Sequence, residues 1–124
     1  VVTAMEKTKF KIVVIILLIL IFARCDGNYF NVKIEGIVKD SISQVPIENA
    51  TVNITCWVYS TERWVSEEVK QSVSTDENGI FQARFNKGEA IDITISAKNY
   101  LIKNESRTLK SNKLKFAIFL ERYR

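Results

Sequence analysis

Ser74-Thr75-Asp76-Glu77-Asn78-Gly79-Ile80-Phe81 joins two β-type runs, Val69 to Thr75 and Ile80 to Phe85, through a tight reversal. Asp and Asn side chains bond their own backbone two residues on, and glycine takes a positive φ without steric cost. Asp76 to Gly79 is therefore expected to form a hairpin turn, with Asp76, Asn78 and Gly79 as its structural residues. Beyond it, Phe81, Ala83 and Phe85 alternate with Gln82 and Arg84, the pattern of a strand with one apolar and one wet face.

The same period of two runs on both sides of the turn. Val32, Ile34, Gly36 and Val38 share a face opposite Lys33, Glu35 and Lys39, so Val32 to Asp40 is a first strand. Gly36 inside it is expected to mark a bulge or the close approach of another backbone, and Ile37, which interrupts the polar face, to lie under a loop. Pro46, lacking an amide donor, belongs at an edge or just ahead of a strand. Ala50, Val52, Ile54, Cys56 and Val58 then alternate with Thr51, Asn53, Thr55, Trp57 and Tyr59, the longest clean alternation in the chain. Ser60 to Arg63 can reverse the chain and Trp64 to Thr75 return it. Ile91, Ile93, Ile95 and Ala97 form another alternating set, Leu101 to Leu109 a weaker segment, and Leu114, Phe116, Ile118 and Leu120 the inner face of a last strand. Seven short strands without an amphipathic helix predict an all-β, small antiparallel seven-stranded β-sandwich.

The chain has 124 residues and a formal net charge of +4. Residues 1–25 hold four of its 18 basic and one of its 14 acidic residues, so the basicity belongs mostly to that segment and no nucleic-acid partner is expected. In the remainder, residues 98–124 are basic and 26–97 acidic. Lys103, Lys110, Lys113 and Lys115 either keep the edge of a terminal strand from pairing with other chains or draw the protein to an anionic surface.

At the N-terminus a basic stretch, Lys7 to Lys11, precedes an unbroken apolar run from Ile12 to Ala23. Spanning a bilayer takes about 20 residues, so the run reads as the apolar part of an export signal, a signal helix rather than a permanent span. Cys25 follows directly after Arg24. A cysteine so placed resembles the lipobox of bacterial lipoproteins, which implies lipidation at Cys25 and localisation in the cell envelope, membrane-anchored on the periplasmic side or at the outer membrane. The domain plan is a signal segment over residues 1–25, a short tether over 26–31 and a β-sandwich over 32–124.

Ile34-x-Gly36-x-Val38-x-Asp40, Pro46-Ile47-x-x-Ala50-x-Val52-x-Ile54, Thr75-Asp76-Glu77-Asn78-Gly79-x-Phe81 and Ile93-x-Ile95-x-Ala97-x-x-Tyr100 stand in this order. Together they resemble the carboxypeptidase regulatory-like domain over roughly Lys33 to Glu121. The resemblance implies a transthyretin-like sandwich and a noncatalytic accessory or adhesion-type module found on exported proteins. It transfers no ligand, and Cys56 to Ser72 carries extra residues relative to compact members.

There is no histidine, which removes imidazole acid–base chemistry and histidine metal sites, and neither a carboxylate pair in a cleft nor a phosphate loop is evident. No enzyme activity, cofactor or metal is expected. Asp76, Glu77 and Asn78 have oxygens suited to a hard cation, but their spacing is too short for an EF-hand and favours turn chemistry. Trp57, Tyr59 and Trp64 are the candidate ligand or partner surface: exposed rings there stack on sugars or anchor a protein, unless the extra segment folds over and buries them. Cys56 faces inward as a buried thiol; if Cys25 is not lipidated the two can pair in an oxidising compartment. The expected function is a lipid-anchored envelope module that binds a protein partner; a polysaccharide-binding surface protein and an orphan or truncated structural module of a larger protein are the alternatives.

Overall fold

A computed structural model describes residues 11–16, 27–60 and 65–123. Residues 11–16 are helical, and no helix among the described residues is long and apolar enough to cross a membrane. Cys25 and Trp64 lie outside the described residues.

Seven strands follow: β1 (Tyr29–Asp40), β2 (Thr51–Ser60), β3 (Val65–Ser74), β4 (Ile80–Gly88), β5 (Ala90–Ser96), β6 (Lys103–Thr108) and β7 (Lys113–Leu120). They form two facing sheets, ordered β4-β1-β7 and β3-β2-β5-β6. Alternation decides which side chains lie between them. Val32, Ile34 and Val38 of β1, Phe81 and Phe85 of β4, and Ile118 and Leu120 of β7 face Val52, Ile54 and Cys56 of β2 and Ile91, Ile93 and Ile95 of β5, all buried. Each such aliphatic or aromatic side chain contributes about 1.5–3 kcal/mol on burial, so the inner faces hold the sheets together.

The all-β sandwich is as the alternation predicts, with one pairing of different sense. β1 runs parallel to β7, from Lys33↔Lys113 to Asp40↔Leu120, while the other pairings are antiparallel. Strand sense depends on how the chain returns, which a pattern of period two does not record.

The deciding turn is formed as expected but joins different things. Asp76 Oδ1 accepts from the amides of Asn78 and Ile80 (2.9 Å each), and Gly79 has φ +74°. It is not a hairpin, because β3 pairs with β2 in one sheet and β4 with β1 in the other. Thr75, buried, holds the chain to the start of β2: its hydroxyl donates to Ile47 O (2.6 Å) and accepts from Ala50 N (2.9 Å). Four residues later Gly79 O accepts from Val38 N of β1 (2.8 Å), and a Cβ on Gly79 would stand 2.5 Å from Val38 O. The turn is thus an arch that carries the chain across the core.

Gly36 is explained by a side chain, not by a bulge or a neighbouring backbone. A Cβ there would stand 2.3 Å from the Phe81 ring, which occupies the space the glycine leaves. Ile37 does not lie under a loop either: it pairs with Ile80 and Ala117 across the outer face of its sheet. The stretch expected as a tether is also partly structured. β1 begins at Tyr29, paired with Gly88, and the Asn28 side chain accepts from Tyr59 N (2.9 Å) and donates to Tyr59 O (2.7 Å), so the domain starts ahead of Val32.

Candidate functional site

β2 lies in the interior of its sheet, so its outward residues form the middle of a flat face. Across that face the register sets Thr51 between Ser74 and Ser96, Asn53 between Ser72 and Thr94, Thr55 between Lys70 and Asp92, and Trp57 between Glu68 and Ala90. The upper rows are hydroxyl and amide groups, and the indole closes them on one side.

Trp57 is half-buried, and its ring is fixed at one edge. Nε1 donates to Asp92 Oδ2 (2.6 Å), and the other carboxylate oxygen accepts from Ser106 Oγ (2.6 Å). These two bonds, Ser106 first and Trp57 second, hold the Asp92 carboxyl below its ordinary range. An indole with its single donor satisfied presents only a π-face to a ligand, which suits stacking on a sugar or a partner's apolar side chain. Tyr59 is half-buried two residues on, its backbone held by Asn28. The structure therefore brings Trp57 and Tyr59 onto one face; the Trp64 part of the expected trio lies outside the described residues.

Two other sequence candidates, Asp76 and Cys56, lie within the described residues. The Asp76 carboxylate is engaged with backbone amides of its own turn. Among the described residues no group of three or more acidic, cysteine or histidine side chains is placed to hold a metal ion. Cys56 is a buried free thiol whose pKa burial pushes up to about 11, which leaves it a small apolar side chain at neutral pH.

Sequence reading missed a polar node at the opposite end. Asp40 is 4% exposed and accepts four bonds: from the amides of Ile42 (2.9 Å) and Ser43 (3.0 Å), Tyr100 Oη (2.8 Å) and Arg122 Nε (2.8 Å). The Ser43 and Ile42 amides, then the Tyr100 hydroxyl, hold its carboxyl well below the usual carboxylate range. The Arg122 guanidinium also lies over the Tyr100 ring, 5.5 Å from its centroid. One signal was available: Asp40 continues the inward phase of Val32, Ile34, Gly36 and Val38, and a carboxylate in that phase demands partners. Tyr100 stands in the quoted motifs as Asp40 does, but nothing in the sequence joins the two to each other or to Arg122.

Around this node the loops expose apolar side chains. Ile42 is 91% exposed and Ile102 63%, with Val45, Leu101 and Tyr123 also exposed. The backbone holds them at one end: Leu101 N donates to Glu121 O (2.8 Å), Tyr123 N to Asn99 O (3.1 Å) and Ser41 N to Leu120 O (2.9 Å). This end is remote from Asn28, at the far end of β1.

No protein-family model matches the chain, and no curated protein matches it. Solved structures do. The chain is similar to 3-chlorocatechol 1,2-dioxygenase from Rhodococcus opacus 1CP, with a TM-score of 0.61 and 10% identity over 79% of this chain and 62% of that one. It is similar to the C-terminal domain of the shaft pilin spaA from Lactobacillus rhamnosus GG, with a TM-score of 0.56 and 10% identity over 75% of this chain and 98% of that one. A streptococcal ancillary pilin matches with a TM-score of 0.58 and 10% identity, 77% of this chain covering 30% of that one. The chain thus spans less than two thirds of the dioxygenase and less than one third of the ancillary pilin. At such identities the shared property is the β-sandwich.

Proposed function

We propose that this chain is a noncatalytic, exported envelope module, held at a membrane through its N-terminal segment and Cys25, that binds a protein partner by the apolar loops around Asp40. The carrying observation is the exposure of Ile42, Val45, Leu101, Ile102 and Tyr123 on a support braced by a four-bonded carboxylate. Apolar groups gathered on rigid loops at one end of a sandwich are a feature of interaction sites. The carboxypeptidase regulatory-like resemblance supports an accessory role, and a shaft-pilin domain and an ancillary pilin share the sandwich fold. The orphan-module alternative shares this fold and lacks a partner.

A photo-crosslinking side chain in place of Ile42 tests the reading in cells. A discrete adduct at Ile42, lost when Ile102→Asp is added and absent with the crosslinker at Thr51, supports it; equal labelling at Ile42 and Thr51 rejects it. Intact mass and detergent partitioning beside Cys25→Ala test the anchor separately, since only a processed, acylated wild type differs from the variant.

The fixed Trp57 ring favours one second reading, a polysaccharide-binding surface of Trp57 and Tyr59 beside rows of hydroxyl and amide groups, with Trp64, outside the described residues, as the third ring the sequence offers. Tryptophan fluorescence that shifts with a soluble polysaccharide in wild type but not in Trp57→Ala supports it. Silence across a glycan panel removes it.

A further inference from the structure

The outer face of the three-stranded sheet carries an unusual row. Arg84 of β4, Lys33 of β1 and Lys113 of β7 lie directly opposite one another across all three strands. Opposed side chains in a sheet stand about 5 Å apart, and like charges so placed are destabilising. Among the described residues none of the three forms an ion pair; Glu35 stands in the next row, between Gln82 and Lys115.

Edge protection does not account for the row. It explains a lysine on an outer strand such as β7, but Lys33 is on the central strand, where no edge exists to protect. The edge of β7 is moreover met by a different cation, since Lys103 Nζ donates to Phe119 O (3.3 Å).

The same residues line a concavity of about 550 Å³ together with Asn31, Asn86 and Asn112. Asn31 has φ +52° and stands out of the β1–β4 ladder between Phe30↔Lys87 and Val32↔Phe85. A non-glycine residue held in the left-handed region inside a strand is a local cost of the kind found at binding sites. Three cations and the N–H donors of three amide side chains surround one hollow, and no carboxylate lines it among the described residues.

We propose that Lys33, Arg84 and Lys113 form a binding site for a phosphate-type anion, with Asn31, Asn86 and Asn112 donating at its rim. The anion replaces the like-charge repulsion by charge-assisted hydrogen bonds, so ligand and fold stabilise each other. Its source is a free phosphate or a lipid phosphate headgroup. The second follows from position: the hollow lies at the end of the sandwich where Asn28 enters, and only residues 24–26 separate Gly27 from the apolar run. A few extended residues span roughly 10–15 Å, so an inserted run keeps this end within reach of headgroups. The site itself rests on the row and the hollow, not on the membrane reading.

The test uses the full chain in a neutral detergent, followed by amide shifts in ¹⁵N–¹H spectra. Inorganic phosphate, titrated against chloride at equal ionic strength, is expected to give saturable shifts confined to the neighbourhood of Lys33, Arg84 and Lys113. Lys33→Gln is expected to weaken them roughly tenfold or more, whereas Lys115→Gln leaves them unchanged. If inorganic phosphate gives no such shifts but micelles doped with phosphatidylglycerol do, and phosphatidylcholine does not, the source is the lipid headgroup. Absence of saturable shifts with phosphate and with phosphatidylglycerol, or equal affinity in wild type and Lys33→Gln, overturns the site. Failure of the anchor leaves the inorganic phosphate arm intact, so the two ideas fail separately.

Discussion

The two ends of the sandwich treat charge in opposite ways. At the end of β1 remote from Asn28, Asp40 is paired with Arg122 and holds three further donors, and the loops around it expose apolar side chains. Where the chain enters, Lys33 stands between Arg84 and Lys113 with no ion pair among the described residues. One end has spent its polar groups on holding the C-terminal segment to the first strand. The other holds the incoming chain with a neutral amide, Asn28, and leaves Lys33, Arg84 and Lys113 without an ion pair among the described residues. The first arrangement stabilises the fold; the second costs stability that a bound anion returns.

Asp40→Ala is the hardest blow to this comparison. It leaves the Tyr100 hydroxyl and two backbone amides without their acceptor and Arg122 Nε with only the Tyr100 oxygen (3.2 Å), and the thermal midpoint is expected to fall by roughly 10 °C or more. A loss of only one or two degrees by calorimetry removes the claim that this end is braced by Asp40.

Acid titration probes the same node through the proton. Folding lowers the Asp40 pKa, so the stability it contributes is whole above pH of about 4, where the unfolded carboxyl is ionised. That contribution declines as pH falls below this value toward the folded pKa. Wild type is therefore expected to lose stability from pH 4 downward more steeply than Asp40→Asn, as read by urea midpoints; parallel curves contradict the assignment.

Asn28→Ala should act at the other end and more gently. Two bonds to Tyr59 are removed at a partly exposed site, a loss of about 1–2 kcal/mol. Hydrogen exchange is expected to quicken at Tyr59 and leave Val52 protected; uniform quickening means that Asn28 supports the whole domain rather than one end.

The smallest effect has the opposite sign. Lys33→Gln relieves two like-charge oppositions and should stabilise the anion-free protein by about 1 kcal/mol or less at low salt. Adding salt to 1 M is expected to erase the gain, because screening acts on exposed charges. A destabilised variant breaks the contrast between the two ends.

The strand pattern was readable because burial imposes a period of two on every strand of a sandwich. Trp57 and Tyr59 were legible as outward residues for the same reason, whereas the bond that Trp57 donates to Asp92, and the one by which Ser106 steadies that carboxylate, depend on β5 and β6 lying next in the sheet. Asp40 was half legible: its parity placed it inward, and its partners were set by where the last loop and the C-terminal segment return.

By itself the amino-acid sequence determined the all-β class, the inner and outer faces of the strands and the conformation of the Asp76–Gly79 turn, because these follow from local alternation and local hydrogen bonding. The tertiary structure alone decided that this turn is an arch, that β1 and β7 run parallel and that Lys33, Arg84 and Lys113 share a row. Those facts depend on which strands become neighbours. That choice is made by the packing of two whole sheets, and no stretch of a few residues carries it.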